Sequence, residues 1–241
     1  NAKGVIGIEN NKPEGIKKIR ELVKDEPRIE VRELLTKYPQ GGERSLIYAI
    51  TGRKVNSSML PADAGCIVDN IDTVVSIYHA VCLQTPLIRK VITVTGDAVA
   101  DPRNFKVKLG TNYQELLKAA GGFKTEPEKV ISGGPMMGQA LFSLDVPVTK
   151  TSSALTFFTK DVVSAEPSTP CIRCGRCVAA CPSHLIPPMM MKAALKNDCE
   201  GFEKVNGMEC MECGSCTFVC PARRPLTQAF KDMRKQVAAN R

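Results

Sequence analysis

Cys171-Ile-Arg-Cys174-Gly-Arg-Cys177-Val-Ala-Ala-Cys181-Pro182 is a run whose order returns at Cys210-Met-Glu-Cys213-Gly-Ser-Cys216-Thr-Phe-Val-Cys220-Pro221. Each reads C-x2-C-x2-C-x3-C-P, a spacing that ligates a cubane iron–sulfur cluster. Three thiolates two residues apart wrap a loop around three iron corners. The fourth lies past a short helical turn and faces the other cluster. Cys171, Cys174, Cys177 and Cys220 are therefore expected to serve one [4Fe–4S] cluster, and Cys181, Cys210, Cys213 and Cys216 the other. The proline after each fourth cysteine lacks an N–H and has a fixed φ, which suits an exit from the turn. Gly175 and Gly214 let backbone pass close to sulfide. Structural zinc is the competing reading, but zinc takes four ligands per site, usually from two C-x2-C pairs.

The rest of the composition narrows the class. A chain of 241 residues can build one large domain or two to three small ones. No stretch is long and apolar enough for a spanning helix, and there is no signal peptide. The 11 cysteines, mostly in ligand runs, fit a reducing compartment rather than a disulfide framework. The opening Asn1-Ala2-Lys3, without Met, reads as a cloning remnant ahead of part of a longer protein. The formal net charge is +8, which two clusters of about −2 each would halve. The basic end after Cys220 reads as a solvated helix balancing the clusters, with an acidic partner or anionic lipid as the alternative. Four Tyr, eight Phe and no Trp leave little for nucleic-acid stacking, and no nucleic acid is expected as a partner.

Ahead of the cysteines the pattern is α/β and then α+β. Val5–Ile8 reads as a buried strand. An amphipathic helix over 13–26 follows, with Asn10 or Asn11 as cap. Ile29–Val31 reads as a strand, and the turn Gly41-Gly42 leads into a second helix. After Asp69-Asn-Ile-Asp-Thr73 a helical stretch runs to about Leu83, with Asn70 and Asp72 read as caps or as polar groups for a ligand. Cys66 and Cys82 read as small buried hydrophobes, and Cys199 as structural. Val91–Thr95 and Phe105–Leu109 alternate as strands. A helix capped by Thr111 stops at Gly121-Gly122. Gly133-Gly-Pro-Met-Met-Gly138 reads as a structural turn. Residues 151–170 read as a linker whose Leu155–Phe158 can pair as a strand. Met189–Asn197 reads as a helical spacer between the cysteine runs.

Further stretches carry a family resemblance. Lys37-Tyr-Pro-Gln-Gly-Gly-Glu43, Leu60-Pro-Ala-Asp-Ala-Gly65, Asp69-Asn-Ile-Asp-Thr73, Val94-Thr-Gly-Asp-Ala98 and Gly133–Gly138, with both cysteine runs, resemble the C subunit of Rnf-type electron-transport complexes. The plan is similar to the flavin-bearing NADH-oxidising subunit of respiratory complex I. The resemblance implies a multidomain chain. Residues 1–87 would be the later part of a Rossmann-like FMN/NADH domain, and 88–150 a β-grasp-like SLBB domain. A linker would span 151–166, and a helical dicluster ferredoxin-like domain 167–241. It also implies that Gly42-Glu43 lies beside a flavin, Asn70 near its phosphate and Glu9 near the nucleotide. The upstream loops that hold most of the flavin in complex I are absent here, so this stretch is expected to bind FMN and NADH weakly.

The implied function is electron relay between NAD(H), FMN and two [4Fe–4S] clusters. The implied partners are integral membrane subunits, other redox subunits and ferredoxin, and the implied place is the cytoplasmic face of the bacterial cell membrane. Two alternatives share parts of the plan: a cobalamin-reducing flavin/iron–sulfur protein of a microcompartment, and a stand-alone dicluster carrier.

Overall fold

The computed structural model describes residues 2–240, which fall into two compact units divided between Asn70 and Ile71. The first unit is a β–α–β arrangement. Strand β1 (Gly4–Glu9) lies parallel to β2 (Ile29–Leu34), in register from Gly4↔Ile29 to Glu9↔Leu34. Helix α1 (Pro13–Leu22) joins them, as parallel neighbours require a crossover. Its buried residue is Ile16, and Pro13 stands in its first turn, where no N–H is needed. Helix α2 (Glu43–Thr51) follows, with Ile47 buried. A methyl group on Gly7 of β1 would meet Leu34 at 2.9 Å and Leu46 of α2 at 3.3 Å, so α2 packs closely over this strand.

Three expectations change in this unit. β1 is half exposed along its length rather than buried, because a two-stranded sheet has few neighbours to cover it. α1 ends at Leu22, short of residue 26, with Val23 closing the turn. Its N-cap is Lys12, with no side-chain cap bond; Asn10 instead accepts from Thr36 N at 3.0 Å and Thr36 Oγ1 at 2.7 Å, tying the end of β1 to the segment after β2.

The second unit begins with α3 (Ile71–Cys82), no residue of which is buried. Cys82 is exposed and Cys66, in the first unit, only partly covered, so neither is the buried hydrophobe expected. Five strands form a sheet: β3 (Arg89–Thr95), β4 (Arg103–Lys108), β5 (Lys129–Ser132), β6 (Gln139–Leu141) and β7 (Ala154–Phe158), in the order β4-β3-β7-β5-β6. β3 and β7 pair parallel, and the other pairs are antiparallel. β7 thus occupies the middle of the sheet. Leu155, Thr156 and Phe157 are buried there, so the pairing foreseen for this stretch is central rather than peripheral. Helix α4 (Tyr113–Ala119) supplies Tyr113 and Leu116 to a core with Ile92, Val94, Leu155 and Phe157. Its cap is Asn112, not Thr111: the Asn112 side chain accepts from Gln114 N at 2.9 Å.

The last part is helical. α5 (Arg176–Ala179) and α8 (Ser215–Phe218) are single turns inside the two cysteine runs. α6 (Pro187–Ala194) starts on the Pro-Pro pair and ends three residues before Asn197. α7 (Cys199–Lys204) is capped by Asp198, which accepts from Gly201 N at 2.8 Å. α9 (Leu226–Ala239) buries Leu226, Phe230, Met233 and Val237, spacings of three and four that place them on one face. These meet Met190, Met191 and Phe202, and the Phe202 and Phe230 rings lie 6.2 Å apart. The α9 stripe makes the basic end an amphipathic packing element, with Lys235 exposed and Arg234 partly buried.

Candidate metal centres

The two cysteine runs fold alike. Arg173 and Glu212, two residues after the first cysteine of each run, have φ of 57° and 55°. Gly175 and Gly214 have φ of 75° and 85°, and His184 and Arg223 have φ of 52° and 50°. The reversed backbone turns amide groups inward at matching places. Arg173 N donates to Cys171 Sγ at 3.4 Å, and Glu212 N to Cys210 Sγ at 3.4 Å. Leu185 N donates to Cys181 Sγ at 3.3 Å. Each fourth cysteine closes its short helix through an N–H bond of 3.2 Å, from Cys181 to Val178 O and from Cys220 to Thr217 O.

This repeat leads to two cavities. One, of about 370 Å³, is lined by Cys171, Cys174, Cys177 and Cys220. The other, far tighter, is lined by Cys181, Cys210, Cys213 and Cys216. Each therefore takes three cysteines from one run and the fourth from the other. Among the described residues no three His, Cys, Asp or Glu side chains converge on one metal ion. Thiols spread around a cavity suit a polynuclear cluster better than a single zinc ion, whose four ligands must meet at one point. The donor set fits a [4Fe–4S] cluster in each cavity: four soft thiols, with backbone N–H groups directed at sulfur.

Burial pushes the Cys210 thiol up to about 11, and it raises Cys177 and Cys216 as well. Without metal these thiols hold their protons at neutral pH, so ligation must displace them. The second cavity also has Glu212 on its wall. Arg234 of α9 forms an ion pair with that carboxylate, so the acidic residue is neutralised beside the thiols. Met136 closes in from the sheet: a methyl group on Gly214 would lie 2.8 Å from Met136 O, whereas one on Gly175 would meet nothing within 4 Å. The turn Gly133–Gly138 is thus a lid segment over one cysteine loop. Neither Arg234 nor Met136 was singled out from the sequence. The three- and four-residue spacing on α9 offered a weak signal for the first, and the second lies in the Gly133–Gly138 stretch, which was read as a turn without its contact. Cys199 lies outside both cavities, at the start of α7, where Asn240 Nδ2 reaches its sulfur at 3.7 Å.

The expected flavin residues lie in the first unit or at its edge. Glu9 ends β1 and pairs with Lys12 at 3.1 Å. Gly42 is the N-cap of α2 and Glu43 its first residue, on the connection that leaves the carboxyl end of β2. Carboxyl ends of parallel strands are where open α/β sheets bind ligands, so Glu9, Gly42 and Glu43 share the appropriate end topologically. Two residues before Gly42 is Gln40, whose buried Nε2 has no hydrogen-bond acceptor. That orphaned donor fits a polar ligand group, and the sequence reading missed it. Asn70 closes the unit, just before α3.

Comparison with known proteins gives three family matches in succession. The Nuo51 FMN-binding domain matches residues 1–79, the SLBB domain 91–140 and the 4Fe-4S dicluster domain 163–225. The chain is 44% identical over 241 residues to the C subunit of the Na(+)-translocating ferredoxin:NAD(+) oxidoreductase complex of Acetobacterium woodii, covering 99% of this chain and 54% of that protein. It is 46% identical over 188 residues to the C subunit of the proton-translocating ferredoxin:NAD(+) oxidoreductase complex of Clostridium ljungdahlii, covering 78% of this chain and 41% of that one. The C subunit of an ion-translocating oxidoreductase complex of Yersinia enterocolitica is 41% identical over 187 residues, covering 77% and 27%. Among solved structures, an NAD+-reducing [NiFe]-hydrogenase has a similar fold, with a TM-score of 0.61 at 16% identity over 98% of this chain and 49% of the hydrogenase chain. The chain spans about half the length of the curated relatives it matches, or less. With these relatives and three domains in this order, the chain belongs to the C-subunit family of Rnf-type ion-translocating oxidoreductase complexes.

Proposed function

We propose that this chain relays single electrons within an Rnf-type complex, between a flavin/NAD(H) site and two [4Fe–4S] clusters. The observation that carries the reading is the pair of cavities, each lined by four cysteines drawn from both runs. Cys171, Cys174, Cys177 and Cys220 would hold one cluster, and Cys181, Cys210, Cys213 and Cys216 the other. When bound, flavin divides a hydride's electron pair and the clusters carry the electrons one at a time. The chain's own groups position and insulate these carriers. Backbone N–H groups at Arg173, Leu185 and Glu212 stabilise sulfur charge. The Met136 segment packs against Gly214 of the second cysteine loop. Gln40, Gly42 and Glu43 would contribute to the flavin site, with Glu9 on the nucleotide side and Asn70 near the phosphate.

In domain terms, the segment up to 87 would be the later part of a Rossmann-like FMN/NADH domain and 167–241 the dicluster domain; the β-grasp-like SLBB domain, expected over 88–150, would extend to Phe158 because β7 lies in the middle of its sheet, leaving 159–166 rather than 151–166 as the connection. The partners would be the complex's integral membrane and other redox subunits, NADH and ferredoxin. The place would be peripheral, on the cytoplasmic face of the membrane and held by those subunits; no helix among the described residues is long and apolar enough to cross a membrane. The cobalamin-reducing and stand-alone carrier readings lack support from relatives such as these.

The test is composition followed by turnover. Anaerobically prepared protein should contain about eight iron and eight sulfide per chain, and the whole protein should retain FMN and reduce an artificial acceptor with NADH. Stoichiometric zinc without sulfide would overturn the cluster reading.

A further inference from the structure

The two cysteine loops fold alike, but the helices that follow them do not meet the sulfurs in the same way. Aligned on the cysteines, α6 and α9 begin at the same place, and Pro188, Met191 and Leu195 stand opposite Thr227, Phe230 and Arg234. The three α6 residues line the larger cavity, and none has a side-chain hydrogen-bond donor. On α9, Thr227 and Phe230 line the tighter cavity, and the Thr227 hydroxyl lies 3.7 Å from Cys216 Sγ. Arg234 follows Phe230 by one turn on the same face. It forms an ion pair with Glu212, which lines that cavity and whose N–H donates to Cys210 Sγ. Arg234 Nε is buried and has no acceptor among the described residues. Burial raises the Cys210 thiol, and the Arg234 charge acts against it. Cations stand at the larger cavity too, where Arg173, Lys192, Lys196 and Arg224 line the wall beside the exposed Cys171 and Cys174. Charges that reach water are screened. Arg234 and Glu212 are only 27% and 28% exposed, and charges so covered act more strongly on a neighbour. The positions aligned with Glu212 and Arg234 hold Arg173 and Leu195, so the pair has no counterpart in the first half.

We propose that Arg234, acting through Glu212 and Cys210 as a positioning residue, sets the reduction potential of the cluster held by Cys181, Cys210, Cys213 and Cys216, and of that cluster alone. The proposal rests on the cluster assignment above. Reduction by one electron from the flavin takes a four-thiolate cluster from about −2 to about −3, with no bond made or broken. A fixed cation stabilises the added charge, and a fixed carboxylate opposes it. The two partners of the pair therefore pull the potential in opposite directions. Loss of Arg234 leaves the Glu212 carboxylate unmasked beside the cluster and makes reduction harder. Loss of the Glu212 charge leaves Arg234 uncompensated and makes reduction easier. The pair thereby fixes where the tighter site stands relative to the open one in the order of filling, independently of the open site's screened cations.

The experiment is an anaerobic redox titration of the whole protein with its clusters, followed by EPR, with iron and sulfide read on every variant. In Arg234→Gln one of the two reduction steps should move to lower potential, its reduced-to-oxidised ratio at a fixed potential falling about tenfold, or about 59 mV for one electron. In Glu212→Gln the same step should move up by a similar factor, and in the double variant it should return to within about threefold of the parent. The other step should stay within about twofold throughout, as should both steps in Lys235→Gln, which removes an exposed charge from the same helix. A merely structural role for the pair would shift both single variants in the same sense. That result, or two steps that move together, or steps that do not move in variants with intact clusters, overturns the proposal. Should Arg234→Gln lose iron, the direction of the shift in Glu212→Gln decides alone. If the parent itself lacks eight iron and eight sulfide, it is the cluster assignment that fails.

Discussion

At the scale of single residues, the sharpest consequence concerns Cys181 and Cys220. Each ends one run yet lines the cavity of the other. Cys220→Ala should therefore damage the cluster nested in residues 171–177, and Cys181→Ala the one nested in 210–216. EPR of the two reduced clusters in each variant checks this, and loss of each run's own cluster instead would refute the crossed ligation. A second residue-scale expectation concerns Asp161. Burial is the largest single influence and opposes its ionisation, but the hydrogen bonds from Lys129 (2.9 Å) and Ser164 and the Lys129 charge together outweigh it, and its carboxyl is lowered to about 2. A depressed carboxylate stabilises the fold above its unfolded value and loses that contribution as pH falls toward the folded one. The stability difference between the parent and Asp161→Asn, from urea unfolding followed by tyrosine fluorescence, should thus hold steady near neutrality and shrink below about pH 4.

Elements set apart two glycines that look equivalent in the sequence. Gly175 and Gly214 each precede a short helix with positive φ, so alanine at either place costs about 1 kcal/mol of backbone strain. Only Gly214 has a neighbour in the way, the main-chain oxygen of Met136. Gly214→Ala should destabilise by about 1–3 kcal/mol more than Gly175→Ala, because overpacking against backbone has little room to relax. Thermal unfolding of the two variants measures the difference, and equal shifts would mean that the Met136 segment yields freely. The packing of α9 on α6 and α7 makes a related point. Phe202→Ala removes a fully buried ring that faces Phe230, with an expected loss of about 3–5 kcal/mol.

For the whole molecule, crossed ligation as proposed would tie residues 171–181 to 210–220 through two clusters. Ligation energy then becomes folding energy for the helical part. Removing iron with a chelator under anaerobic conditions should loosen α5 to α9 while leaving the sheet of β3 to β7 folded, since that sheet has its own core of Ile92, Val94, Leu155 and Phe157. Hydrogen exchange before and after chelation reads the contrast. Uniform protection across both parts would show that the clusters do not hold the helical part together.

The sequence by itself determined the chemistry, because thiol spacing along a chain is a local property. C-x2-C-x2-C-x3-C-P limits which sulfurs can reach one cluster, and Gly175 and Gly214 mark where the backbone must reverse. The sequence also indicated the early helices and strands, whose periodicity is likewise local, although not every cap: Asn112 and Asp198 hold positions that hydrophobic spacing could not single out. Only the tertiary structure decided which elements became central. Leu155–Phe158 lies in a polar stretch, yet it fills the middle of a five-stranded sheet because β3 and β5 flank it from distant parts of the chain. The contrast between the two cavities was also invisible in one dimension. It depends on Met136, Arg234, Lys192 and Arg224, each far in sequence from some of the cysteines it accompanies, and nonlocal burial and charge follow from the packing of whole elements rather than from local pattern.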